Sequence, residues 1–157
     1  QYHSISTSSA WSWQQGRRLR WNALNQDEIL FNNVEDNHFV CQIWNVIKKE
    51  KVKTIPIPLY DIDRKMRYGF GVNFARLQRL RPGYGYNSLP DLSEQESIPQ
   101  NDGILRYDFN SGEVKLIISY QWLCRDIPDA DKFQHYVNHI SVSPDGSSFM
   151  FFHIWHL

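Results

Sequence analysis

Apolar and polar positions alternate in short runs along almost the whole chain, and polar turns separate the runs. Ile43-Trp44-Asn45-Val46, a polar turn and Val52-Lys53-Thr54-Ile55 are echoed by Leu105, Tyr107-Asp108-Phe109, the turn Asn110-Ser111-Gly112 and Val114-Lys115-Leu116-Ile117. A second echo joins Leu19-Arg20-Trp21 and Ile29-Leu30-Phe31 to Ile140-Ser141-Val142, the turn Ser143-Pro144-Asp145-Gly146 and Phe149-Met150-Phe151-Phe152. A weaker copy runs from 60 to 70 and turns at Asp63-Arg64-Lys65. Period-two alternation between turn residues is the signature of antiparallel strands. It predicts strands near 17–22, 28–34, 38–46, 51–59, 60–63, 67–74, 103–109, 113–120, 137–142 and 148–155.

Repeated hairpins of this spacing predict an all-β fold, a partial β-propeller built from four-stranded antiparallel blades of roughly 40–45 residues each. The expected units are a blade at 17–59, a blade at 60–120 with a long insertion at 74–101, and a partial blade at 137–157. Together they make about two and a half blades. The run 149–152 is apolar on both faces, as in a sheet packed between neighbouring sheets. Pro56 and Pro58 fall where an outer edge strand tolerates proline. A β-sandwich of antiparallel hairpins is the alternative architecture.

Set inside this repeat, Ser143-Pro144-Asp145-Gly146 resembles the turn of the WD40-like repeats in TolB-type bacterial propellers. The turns at 23–27 and 62–65 depart from that pattern. The resemblance implies a closed ring, which takes about four to eight blades. Further blades, self-association or a protein partner are therefore expected to cover the terminal sheets.

Composition narrows the partners. Of 157 residues, 41% are apolar and 15% aromatic, enough for a packed core. Seventeen Lys and Arg balance 17 Asp and Glu, so no broad positive field gathers nucleic acid. The longest apolar run, 149–152, is far short of the roughly 20 residues that span a bilayer. Gln1 opens the chain with no charged-then-apolar leader, which reads as a processed or trimmed start; periplasm and cytoplasm of a bacterium both remain open. Cys41 and Cys124 show no CxxC spacing and are expected as buried free thiols.

In a propeller, the connections between blades and those between the second and third strands emerge on one face, opposite the turns of the first hairpins. That face is expected to carry Trp11, Trp13 and Gln14, the insertion, and the connection at 121–138. The insertion brings Arg76, Arg79 and Arg81, then Pro82-Gly83-Tyr84-Gly85-Tyr86. Guanidinium groups grip carboxylates in bidentate fashion and tyrosine rings stack on sugar faces, so Arg76, Arg79, Arg81, Tyr84 and Tyr86 are candidate ligands for an acidic saccharide. The competing reading pairs these arginines with Asp91, Glu94 and Glu96 and leaves the tyrosines to pin the loop.

Counting outward from Asp145-Gly146 sets His139 roughly opposite His153. Such a pair can share manganese or zinc, with His135 or His156 as a third ligand; the competing reading is hydrogen-bonded histidines without a metal. A histidine before an SPDG-like turn and another at the end of the next strand are similar to those of oligogalacturonate lyases, bacterial propellers with a histidine-bound metal and an arginine base. The resemblance implies a lyase in which the ion withdraws charge from a uronate carboxylate. There is no Gly-x-Ser-x-Gly elbow, and Gly69-Phe70-Gly71 lacks the third glycine of a dinucleotide loop. Three functions remain in play: a domain that binds a carbohydrate or other anionic ligand, a metal-dependent polysaccharide lyase, and a protein-interaction scaffold.

Overall fold

The computed structural model describes residues 2–156; Gln1 and Leu157, which fall within the predicted boundaries, lie outside the described residues. The described chain is mostly β, arranged in antiparallel sheets, and a strand lies at each of the ten predicted positions, although the fourth ends at Ile55 and leaves Pro56 and Pro58 outside it, since neither can donate to a ladder. The first sheet runs in chain order through β1 (Arg20–Asn22), β2 (Asn25–Glu35), β3 (His38–Asn45) and β4 (Glu50–Ile55). The second does the same through β5 (Asp61–Ile62), β6 (Tyr68–Gly71), β7 (Gly103–Asp108) and β8 (Val114–Ser119). A final hairpin pairs β9 (Gln134–Val142) with β10 (Phe149–His156).

Turn chemistry explains the meander. Asp36 and Asn37 take φ of 49° and 61°, the left-handed pair that a two-residue hairpin needs, and close β2 onto β3 through the partners Glu35 and His38. In the last hairpin Gly146, at φ 72°, donates to the Ser143 carbonyl, and Asp145 accepts from the hydroxyls of Ser143 and Ser147. Arg67, from the corresponding turn of the second sheet, donates to the Asp145 carbonyl at 3.1 Å, so the first-hairpin turns of neighbouring sheets meet at one end.

The sheets pack face to face, with one apolar layer between the first and second and another between the second and the last hairpin. Leu30, Cys41, Ile43 and Ile55 of the first sheet meet Ile62 and Tyr107 of the second. Phe70 and Ile104 of the second sheet meet Tyr136, Val137 and Ile140 of β9.

The connections hold more structure than their polarity suggests. The predicted insertion opens with a helix, α1 (Phe74–Leu80), because Asn73 caps it by accepting from the Arg76 amide and because Phe74 and Leu77 share the face that enters the core. The arginines on its other positions mask that spacing. The next connection holds α2 (Tyr120–Cys124), capped by Ser119, and a 3-10 turn at Ala130–Lys132. Strand β9 then starts at Gln134 rather than near 137, which draws His135 into the sheet.

Candidate functional site

The structure separates the five candidate saccharide ligands. Arg76 is fully buried, and its guanidinium donates to the carbonyls of His135 at 2.7 Å, Glu96 at 3.1 Å and Ser97 at 2.9 Å. It clamps the insertion onto β9. Arg79 donates to Asp91 at 2.9 Å and to the Gln134 amide oxygen at 3.1 Å. The Asp91 carboxyl is held below the usual range by Ser93 and Arg79, against the opposing effect of its burial. Tyr86 is buried, stacked on Phe74 with ring centroids 4.3 Å apart, and accepts from the Asn32 amide. Gly85 makes this possible: a Cβ there would strike the Phe74 carbonyl and the Gln78 backbone of α1. Arg79 thus pairs with Asp91 and Tyr86 is pinned, while Arg76 is held mainly by backbone carbonyls and no arginine forms an ion pair with Glu94 or Glu96 among the described residues. Arg81 and Tyr84 differ. The Arg81 guanidinium lies over the Tyr84 ring at 4.4 Å, and Tyr84 meets His139 edge-on at 5.8 Å.

The histidines are also sorted differently from the count along the hairpin. A bulge between Asn138 and Ser141 shifts the register, so His153 stands opposite Val137. His139 lies in that bulge at φ 53°, against Tyr84 and Phe152. The imidazole that His153 meets is His135, with Nδ1 and Nε2 3.1 Å apart. His156 donates from Nε2 to the Leu80 carbonyl at 3.2 Å and packs edge-on against Tyr136. Arg76 holds the carbonyl of His135, so the insertion lies against this second histidine pair rather than the one the count gave.

Around His139 the first strands of all three sheets converge. Asp61 of β5 accepts from Arg20 of β1 at 2.6 Å and from the Val142 amide of β9 at 2.7 Å, tying the three together. Beside this junction is a polar cavity of about 350 Å³ bordered by Gln14, Gln15, Arg18, Tyr60, Tyr84 and His139. Arg18 donates from Nε to the Tyr60 carbonyl at 2.7 Å and from Nη1 to Gln15 at 3.2 Å, with its guanidinium 4.4 Å from the Tyr60 ring centroid. Its Nη2 makes no hydrogen bond, and no carboxylate forms an ion pair with Arg18, among the described residues. Burial disfavours its charge and lowers its pKa. His139 is pushed down by burial and then by the charges of Arg81 and Arg18.

Two residues of the cavity adopt left-handed backbone, Arg18 at φ 55° and His139 at φ 53°. For a side-chain-bearing residue this costs about 1 kcal/mol, and inside a strand, as at His139, it marks a position held by its surroundings. Trp13, one residue from Gln14, is 82% exposed and meets Trp11 edge-on at 4.9 Å. A larger cavity of about 520 Å³ lies elsewhere, bordered by Phe39, Pro56, Ile57 and Asp102 and by no arginine or lysine.

No family model matches the chain, and neither does any curated protein or solved structure.

Arg18 and Tyr60 are the functional candidates that sequence reasoning missed. A signal existed: Arg17, Arg18 and Arg20 precede the first acid of the chain, Asp27, so the opening segment has no local carboxylate to neutralise them. Cys124 gave no such signal, because its distance along the chain from His135 and His153 matches no zinc motif.

Proposed function

We propose that the chain is a segment of a β-propeller that binds a small anionic ligand, a carboxylate-bearing saccharide, in the cavity where the first strands converge. The single observation that carries this reading is Arg18, a part-buried guanidinium in a polar cavity with a free donor and no carboxylate in ion-pair contact among the described residues, Asp61 acting on it only from farther off. An arginine that folding alone required would be expected to meet its counter-charge within the chain, as Arg79 does. A ligand carboxylate would accept from Nη2 and relieve the cost of burying the charge. Arg81 and His139 add positive potential and a hydrogen-bonding ring, and Tyr84 and the exposed Trp13 offer flat surfaces for a sugar face. Support for the propeller comes from the chain-order meanders, the face-to-face packing of successive sheets and the junction of first strands at Asp61.

The test is calorimetric titration with galacturonate, glucuronate and their short oligomers beside the neutral hexoses. Binding of the acidic sugars, absent for the neutral ones and lost in Arg18→Met, is the expected result. Equal responses to acidic and neutral sugars, or binding indifferent to Arg18, would sink the reading.

A second reading, a protein-interaction scaffold, draws on the exposed apolar side chains Leu19 and Trp21 of the first sheet's leading edge and Met150, Phe152 and Trp155 of β10. Light scattering of the pure chain tests it, with association relieved by Trp21→Lys or Phe152→Lys as the expected outcome.

A further inference from the structure

We propose that Cys124, His135 and His153 form a zinc site that fastens the last hairpin to the end of the second sheet. None of the three borders the anion cavity, so this inference is independent of the function proposed above.

The three donors come from separate elements. Cys124 ends α2, His135 lies near the start of β9, and His153 lies on β10. Residues paired across an antiparallel ladder point to the same side, so the partners His135 and Trp155, and Val137 and His153, present both imidazoles on one face. One ligand atom from each of Cys124, His135 and His153 lies within 4.8 Å of the others, and the two imidazole nitrogens are 3.1 Å apart. A tetrahedral ion with Zn–N of about 2.0–2.1 Å and Zn–S of about 2.3 Å needs donors roughly 3.3–3.6 Å from one another. The imidazole nitrogens already stand near that spacing, and the thiol, within 4.8 Å of both, closes on the ion by an inward rotation.

The tautomer is settled by a neighbour. His135 Nε2 is 2.8 Å from the Ala130 carbonyl oxygen, which can only accept, so the ring proton is on Nε2 and the Nδ1 lone pair faces His153. An imidazole that gives its far N–H to a backbone carbonyl and turns its free nitrogen toward a second imidazole and a thiol has the outer-sphere support usual for metal ligands. Arg76, donating to the carbonyl of His135 at 2.7 Å, fixes the backbone that carries it and so acts as a positioning residue.

One thiolate and two imidazoles suit zinc and do not suit magnesium or calcium, which take oxygen donors. On binding, the Cys124 thiol forms the sulfur–zinc bond and releases its proton to solvent. Three protein donors leave one tetrahedral position for water.

The test is a cobalt(II) titration of the chelator-treated chain of residues 1–157. The expected result is one equivalent of tetrahedral cobalt with a thiolate-to-cobalt charge-transfer band, displaced by zinc, together with a higher melting temperature in zinc. Cys124→Ser should abolish that band and weaken binding by more than the roughly 10–100-fold that loss of an outer-sphere partner costs. His38→Ala, far along the chain on β3, should change neither. In the unsubstituted protein, which avoids any folding defect of a variant, saturating zinc should shift the ¹⁵N resonances of His135 Nδ1 and His153 Nε2. Cobalt binding without the charge-transfer band, its loss in His139→Ala but not in Cys124→Ser, or unmoved ¹⁵N resonances of His135 and His153 would overturn the proposal.

Discussion

Arg76 and Arg18 both leave bulk solvent, yet the chain treats them in opposite ways. Around Arg76 the fold supplies carbonyls from the insertion and from β9, a glutamine oxygen and the nearby Asp91, so its donors are used up inside the protein. Around Arg18 it supplies one carbonyl, one amide oxygen and an aromatic face, and leaves a donor toward a cavity. The difference teaches that an arginine-rich loop is a poor guide to a binding site until its acceptors are counted. A guanidinium with an incomplete set of partners beside a cavity is one that a ligand can complete.

Removing the clamp should produce the largest effect. Arg76→Met leaves the buried carbonyls of His135 and Ser97 without their donor and Asp91 with a single cation, and should cost about 3–5 kcal/mol in urea denaturation. A stable Arg76→Met protein that has lost ligand binding would reverse the comparison.

Arg18→Met should cost far less stability than Arg76→Met, because the charge it removes is incompletely paired and only its bonds to the Tyr60 carbonyl and Gln15 are lost. It should reduce affinity for an acidic saccharide by about 2–5 kcal/mol in calorimetry, as expected when one partner of a buried charge pair is lost. A smaller effect is expected from Trp13→Ala, about 0.5–1.5 kcal/mol in saccharide affinity with stability within about 0.5 kcal/mol of the parent.

The smallest effect concerns pH. In the free protein the His139 pKa lies below its usual 6.5, through burial and then through Arg81 and Arg18. A bound anion raises it, so the complex takes up a proton and affinity should rise as pH falls through the His139 pKa of the complex, until the ligand's own carboxylate is protonated. His139→Ala should flatten that rise. For the free fold the sign is the reverse: the depressed His139 pKa contributes stability above the unfolded value, and this is lost as pH falls through the folded one.

Much of the fold was legible because strands and turns write themselves locally. Alternation in Ile43-Trp44-Asn45-Val46 and the glycine of Ser143-Pro144-Asp145-Gly146 are consequences of pleat and turn geometry, and both stand where the pattern put them. The site was less legible, because its parts meet only in three dimensions. A single bulge at His139 exchanges the partner of His153, and nothing local announces a bulge between Asn138 and Ser141. Likewise Arg76 and Arg18 look alike along the chain; only the carbonyls brought by the insertion tell them apart. Helix α1 was hidden for a related reason, since its core face consists of few residues set among arginines and glutamine.

Side-chain ¹⁵N spectra of the arginines, recorded while galacturonate or its dimer is added, compare the two groups in one sample. The Nε–H resonance of Arg18 should shift and exchange more slowly with solvent as the ligand binds, while that of Arg76 stays in place. A response at Arg76 with Arg18 silent, or silence at both while calorimetry reports binding, would contradict the account.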